Sequence, residues 1–298
     1  MEEIFLKHIR TDLALEMKEG LQSRKSVEDG IEVREEKIPD SDITITRMNI
    51  ATRKASAIMK RSMGKYVTME IPELREEDEG YHRNVSVVLA RELNEMIKEH
   101  IDKKIPHILI AGLGNRDATA DALGPLVVSN LLITRHIVEY MGYDEVEGAN
   151  AVTSAIIPGV MAQTGMDTSE IIGAIIKKIK PDILIAVDAL AARSIHRLNC
   201  ALQITNTGIY PGSGVGNNRQ EITKKTMGIP VIAIGVPTVI DATTLICDLA
   251  GERLPAGIQE DSKEFANMYI TSKDVDAIVK RVSYTISEGI NICMGLNR

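Results

Sequence analysis

Tryptophan is absent from this 298-residue chain, and phenylalanine occurs only twice. The core must therefore be mostly aliphatic. Cysteine is scarce: Cys200, Cys247 and Cys293 are odd in number and far apart. That excludes a disulfide framework and fits buried thiols in a reducing compartment. No C-x-x-C pair or compact Cys/His cluster offers a structural zinc site. No apolar run is long enough to span a bilayer. The opening residues, Met1-Glu2-Glu3-Ile4-Phe5-Leu6-Lys7-His8, lack the basic start and long apolar region of a secretory signal. A cytoplasmic location is the expectation. No charged tail stands out, and a formal net charge of -7 argues against a general nucleic-acid surface.

What is present is an ordinary globular composition, 44% hydrophobic and 26% charged, on a chain long enough for a large core. The first hundred residues differ from the rest. Residues 24–42 are highly charged. The alternation at 43–46 and the run at 65–70 suggest strands, and 84–100 has helical spacing with Val88, Leu89, Leu93 and Ile97 on one face. From Ile105 the pattern becomes strand, loop, helix. Strand-like runs lie at 108–112, 152–157, 183–188, 202–205 and 231–236, with helical stretches at 126–141, 169–180 and 275–294. The run at 202–205 reads either as antiparallel or as an edge. Apolar strands alternating with helices predict an α/β fold: a doubly wound, mostly parallel sheet with helices on both faces. The N-terminal part predicts a smaller α+β region packed on it.

Two aspartates follow apolar strand-like runs. Asp121 comes after Ile108-Leu109-Ile110-Ala111-Gly112-Leu113-Gly114-Asn115 and a short loop, and Asp188 closes Ile183-Leu184-Ile185-Ala186-Val187. In an open α/β sheet, ligands bind outside the carboxyl ends of the strands. Two carboxylates in one cleft can divide acid and base roles, which makes hydrolysis a candidate. Taken singly, Asp121 would read as a helix N-cap and Asp188 as a turn cap. Gly112-x-Gly114 begins a dinucleotide fingerprint, but Asp117 stands where its third glycine belongs. No cofactor is expected. A second glycine-rich loop, 211–219, lacks the Gly-Lys-Ser/Thr ending of a P-loop. It reads as a surface loop, or as one that turns Ser213 and Gly214 toward a substrate or oxyanion. Arg193 either holds a carboxylate in place or forms a surface ion pair. The six histidines lack zinc-peptidase spacing, and His136 and His196 lie nearest the aspartates in sequence. No metal is expected. Ser194 and Ser213 lack the G-x-S-x-G elbow of a serine hydrolase.

These segments resemble the germination proteases of spore-forming bacteria. The resemblance is carried by Gly112-Leu113-Gly114-Asn115, Asp121-Ala122-Leu123-Gly124-Pro125, Asn130 to His136, Ile157-Pro158-Gly159, Asp188 to Ser194, Pro211 to Asn217 and Gly228 to Gly235. It covers roughly residues 9 to 250, far too long for a chance motif. The central domain is also similar to the hydrogenase maturation proteases. The resemblance implies an endopeptidase of atypical aspartic type, with Asp121 and Asp188 as its catalytic pair. It implies a homotetramer in the developing forespore and spore core. Its substrates would be small acid-soluble spore proteins, with no direct nucleic-acid or membrane partner. It further implies a zymogen that cuts itself between Asp12 and Leu13, because Thr11-Asp12-Leu13-Ala14-Leu15-Glu16 looks like the family's substrate site. The expected division is a propeptide at 1–12, an α+β region at 13–104 and a catalytic domain at 105–298. Two other readings stay open at this point: a metal-dependent peptidase of hydrogenase-maturation type, and a non-catalytic α/β binding module.

Overall fold

A computed structural model describes residues 10–21, 30–146, 148–211, 220–250, 265 and 268–296. In chain order, the elements begin with α1 (Ala14–Glu19), β1 (Ile31–Lys37), β2 (Thr44–Ile50), α2 (Arg53–Met59) and β3 (Gly64–Glu70). Next come α3 (Glu79–Lys98), β4 (His107–Gly112), α4 (Leu123–Ser129), α5 (Arg135–Met141) and β5 (Val152–Ile156). They are followed by α6 (Met161–Thr164), α7 (Thr168–Ile179), β6 (Ile183–Ala192), β7 (Ala201–Thr205) and α8 (Lys224–Met227). The chain closes with β8 (Val231–Asp241), α9 (Ala242–Ala250), β9 (Tyr269–Ile270) and α10 (Val275–Cys293).

One sheet runs through the molecule in the order β1-β2-β3-β7-β8-β6-β4-β5, with β9 paired to β8. The strands β8, β6, β4 and β5 are parallel, and every other pairing among the described residues is antiparallel. The sheet is thus mixed rather than mostly parallel. The reason lies in β7, which pairs antiparallel with both β3 and β8. It joins the N-terminal hairpins to the parallel strands and is not an edge.

The parallel strands are apolar on both faces because both are covered. Ile108, Ile110, Ile183, Ile185 and Val187 pack with Leu89 and Leu93 of α3 and Ile286 and Ile290 of α10. The alternate residues Leu109, Ala111, Leu184 and Ala186 pack with Ile172 and Ile176 of α7 and with Leu13. Alternation at period two sorts one continuous apolar run into two cores.

One local expectation is corrected. The stretch 126–141 is two helices, α4 and α5, separated at 130–134. Thr134 and Thr153 exchange bonds there, each backbone N–H reaching the other's Oγ1 at 3.0 Å. Leu132 N donates to Asn291 Oδ1 at 3.0 Å. These long-range partners replace helical ones. The charged stretch 24–42 contains strand β1, whose only apolar alternation is Ile31 and Val33 with Glu32 and Arg34. Glu32, Arg34, Glu35, Glu36 and Lys37 are exposed on this edge strand. Charge there blocks pairing with another chain.

The contact between α4 and β4 depends on two glycines. A Cβ at Gly112 would lie 2.2 Å from Gly124 O, and one at Gly124 would lie 2.4–2.5 Å from Leu113 O, Leu113 N and Val187 O. Every one of these neighbours is backbone, so none can turn aside. Gly124→Ala should therefore destabilise the fold by about 3 kcal/mol, the upper range for overpacking. The check is the urea unfolding midpoint. A midpoint like that of the wild type would refute the close-approach argument.

Candidate active site

Strand lengths create the site. β4 stops at Gly112, opposite Val187 of β6, and Leu113 N makes the last bond to Val187 O at 2.8 Å. β6 continues to Ala192 beside β8. Asp188 is therefore within its strand, not at its end, but it is the first residue past the end of β4. It is buried, at 6% exposure. Its Oδ1 accepts from Ala189 N at 3.0 Å.

Asp121 reaches the same place from the loop that follows β4. It ends a short 3-10 turn, Thr119–Asp121, and so does not cap α4. Its Oδ2 accepts from Asn115 N at 2.7 Å. Gly114, at φ +105°, lets the loop double back: a Cβ there would lie 2.1 Å from Asp121 O. The turn is also tied to β8. Between Leu190–Pro237 and Ala191–Val239 the β6–β8 register slips, leaving Thr238 unpaired in a bulge. Thr238 Oγ1 donates to Ala120 O at 2.6 Å. Bulges re-aim side chains beside sites in this way.

Asp121 and Asp188 line one cleft of about 800 Å³, together with Asp12, Arg61, Gln203 and Tyr210. The chain around Asp12 lies along the part of β6 that β4 leaves uncovered. Asp12 N donates to Ala191 O and Asp12 Oδ2 accepts from Ala191 N, both at 2.8 Å. Val187 and Ala191 are four residues apart in a strand whose bulge lies on its neighbour, so their backbone groups point the same way, toward the β4 side. Leu13 and Ala14 are fully buried. Arg61 donates to Thr11 O. Gln203 brackets the Asp12–Leu13 peptide: Nε2 donates to Asp12 O at 3.2 Å and Oε1 accepts from Ala14 N at 2.8 Å.

Glu16 anchors this segment. It is 1% exposed and accepts from Arg193 N at 2.7 Å, Ser194 N at 3.0 Å and the Thr11 hydroxyl. Arg197 Nη1 stands 3.7 Å away. Burial outweighs these partners and pushes its carboxyl above the ordinary 4.5.

The other sequence candidates are placed differently. The Arg193 side chain does not line the cleft; its Nε pairs with Asp248 Oδ1 at 2.6 Å, while its backbone N–H holds Glu16. Ser213 and Gly214 lie outside the described residues, although Pro211 lines the cleft. His136 and His196 are exposed and do not line it. Among the described residues, no group of three or more His, Cys, Asp or Glu side chains is placed to hold a metal ion. No helix of these residues is long and apolar enough to cross a membrane. The three thiols are buried, and burial raises each pKa, Cys293 to about 12, which suits packing rather than nucleophilic attack. Sequence reasoning missed Gln203 and Arg61. One polar residue inside the apolar Ala201-Leu202-Gln203-Ile204 run was the available signal for the first; nothing local marks the second.

A family model described as germination protease matches residues 9–251. The chain belongs to the germination protease family. It is 40% identical to the germination protease of Clostridium tetani, covering 96% of this chain and 95% of that protein. It is 39% identical to that of Caldanaerobacter subterraneus over 98% of this chain. It is 47% identical to that of Bacillus cereus over 80% of this chain and 65% of that one. Membership makes the chain a protease of spore germination, and a protease implies a protein substrate.

The raised pKa of Glu16 gives a pH signature with a definite sign. A carboxyl whose pKa is higher folded than unfolded favours the native state at low pH. That contribution is full below about 4.5 and is lost as pH rises through the folded value. The groups facing Glu16 are Thr11, the Arg193 and Ser194 amides and the Arg197 guanidinium, and Arg197 keeps its charge throughout. Glu16→Gln should therefore remove a fall in stability seen between about pH 4.5 and neutrality in the wild type. Melting temperatures of both proteins across that range provide the check, and parallel curves would refute it.

Proposed function

We propose that this germination protease is a self-processing zymogen whose mature form degrades small acid-soluble, DNA-coating spore proteins with Asp121 and Asp188. The observation that carries the reading is the shared cleft. Both carboxylates line it together with Asp12, the residue before the expected self-cleavage bond. In this reading residues 1–12 are the propeptide, 13–104 an α+β region and 105–298 the catalytic domain. Assembly as a homotetramer in the forespore belongs to the same reading and rests on the resemblance alone.

The chemistry is general acid–base hydrolysis. One carboxylate takes a proton from water as its oxygen attacks the Asp12 carbonyl carbon. The other, protonated, donates as the C–N bond breaks and the amine of Leu13 leaves. One proton shared by the pair suffices, because it is replaced by the proton taken from water. Thr11-Asp12-Leu13 through Glu16 matches the acidic-then-apolar pattern of the family's substrates, so one set of contacts would read both. Tethering raises the local concentration of the self-substrate to the millimolar range or above.

Asp121→Asn and Asp188→Asn keep size but cannot take up and return a proton. Each should lower cleavage by about a hundred- to ten-thousand-fold, with circular dichroism unchanged. Mass spectrometry of the incubated wild type should show a product beginning at Leu13 that Asp188→Asn does not form. Full activity in either folded variant removes that residue from the mechanism. An intact N-terminus in fully active protein removes the zymogen. Turnover should also survive exhaustive EDTA; loss on chelation and recovery with a divalent ion would favour a metallopeptidase.

A further inference from the structure

We infer that Gln203 is a catalytic residue of this reaction: its side-chain amide stabilises the oxyanion formed at the Asp12 carbonyl and, with its other atom, holds the peptide in register. The inference rests on the reading that Asp12–Leu13 is the bond cut. Gln203 sits in β7, opposite Thr68 of β3 and Gly235 of β8, and is 6% exposed. It lines the cleft with Asp121 and Asp188.

The two contacts of the amide flank one bond. Nε2 donates to the carbonyl oxygen of Asp12, the oxygen that becomes negative when water adds to that carbon. Oε1 accepts from the N–H of Ala14, the amide just beyond the bond. The orientation of the amide is fixed by these partners. Turning it over would set two acceptors together at Asp12 and two donors together at Ala14. Arg61 grips the preceding carbonyl, that of Thr11, and the Leu13 N–H donates to Thr11 Oγ1 at 3.1 Å. The peptide is thus held on both sides of the reacting carbon.

The 3.2 Å bond to Asp12 O lies at the upper end of the ordinary range. A donor already on that oxygen aids catalysis to the extent that its bond strengthens as the oxygen becomes negative. As water adds, the C=O bond becomes C–O⁻ and the Nε2–H bond strengthens. As the intermediate collapses, the C–N bond breaks, the oxygen regains its double bond, and the proton on the acidic carboxylate passes to the nitrogen of Leu13. Gln203 gains and loses no proton.

The two arms of the amide can be separated by substitution in the full-length chain. Gln203→Glu, when ionised, keeps the acceptor for Ala14 but loses the donor. Gln203→Met loses both without adding charge. The readouts are the first-order rate of appearance of the product beginning at Leu13, and the hydrogen-exchange protection of the Ala14 amide. Gln203→Glu should retain that protection while self-cleavage falls about a hundred- to a thousand-fold, as for loss of an oxyanion donor. Gln203→Met should lose protection and rate together. A merely structural glutamine predicts rate and protection moving in step in both variants, and that result overturns the inference. So does a rate in Gln203→Met within a few-fold of the wild type while the wild type cuts at Leu13; the reading beneath then stands. A wild-type chain that never yields a product beginning at Leu13 overturns that reading and this inference together.

Discussion

The unequal length of two neighbouring parallel strands is the constraint on which the site depends. β4 ends at Gly112 while β6 runs on to Ala192, so several backbone groups of β6 point into space that no strand fills. Unpaired backbone groups inside a fold carry a cost unless something satisfies them. Asp12 satisfies those of Ala191, with its own N–H and its carboxylate. The same step in strand length puts Asp188 at the floor of the cleft and leaves room for the loop that carries Asp121. Cleft, carboxylates and N-terminal segment all follow from one mismatch in the sheet.

The segment that enters the cleft is held by strong local contacts rather than by one large surface. Leu13 fills a place in the core beneath the sheet. Glu16 is removed from water and accepts from two backbone amides and a hydroxyl. A buried carboxylate with such partners specifies position more than it adds stability, because desolvation offsets much of the attraction. The result is a peptide fixed in register by groups on both sides of Asp12–Leu13. Precise placement of a peptide relative to the groups around it is one of the larger contributions an enzyme can make.

Fold and site were legible in the sequence to different depths. The parallel strands were legible because their apolar runs are long and bounded by clear breaks such as Pro181. β1 was not, since its apolar face is only Ile31 and Val33 and its charges look like those of a loop. The break at 130–134 was invisible because Thr134 and Asn291 find their partners far along the chain. Asp121 and Asp188 stood out through their place after apolar runs and through the resemblance. Gln203 carried only the weak signal of a lone polar residue in an apolar strand, and Arg61 carried none.

What the sequence determined by itself was local and compositional: an aliphatic core, strands alternating with helices, two aspartates each preceded by an apolar run, and membership of a family of spore proteases. These depend on residue type and spacing, which one chain displays in full. What only the tertiary structure decided was where strands stop relative to one another. That placed β7 as the antiparallel joint of a mixed sheet, Asp188 one step past β4, and Gln203 across the Asp12–Leu13 peptide. Strand register is a property of pairs of segments distant in the chain, fixed by packing between them, and no single segment encodes it.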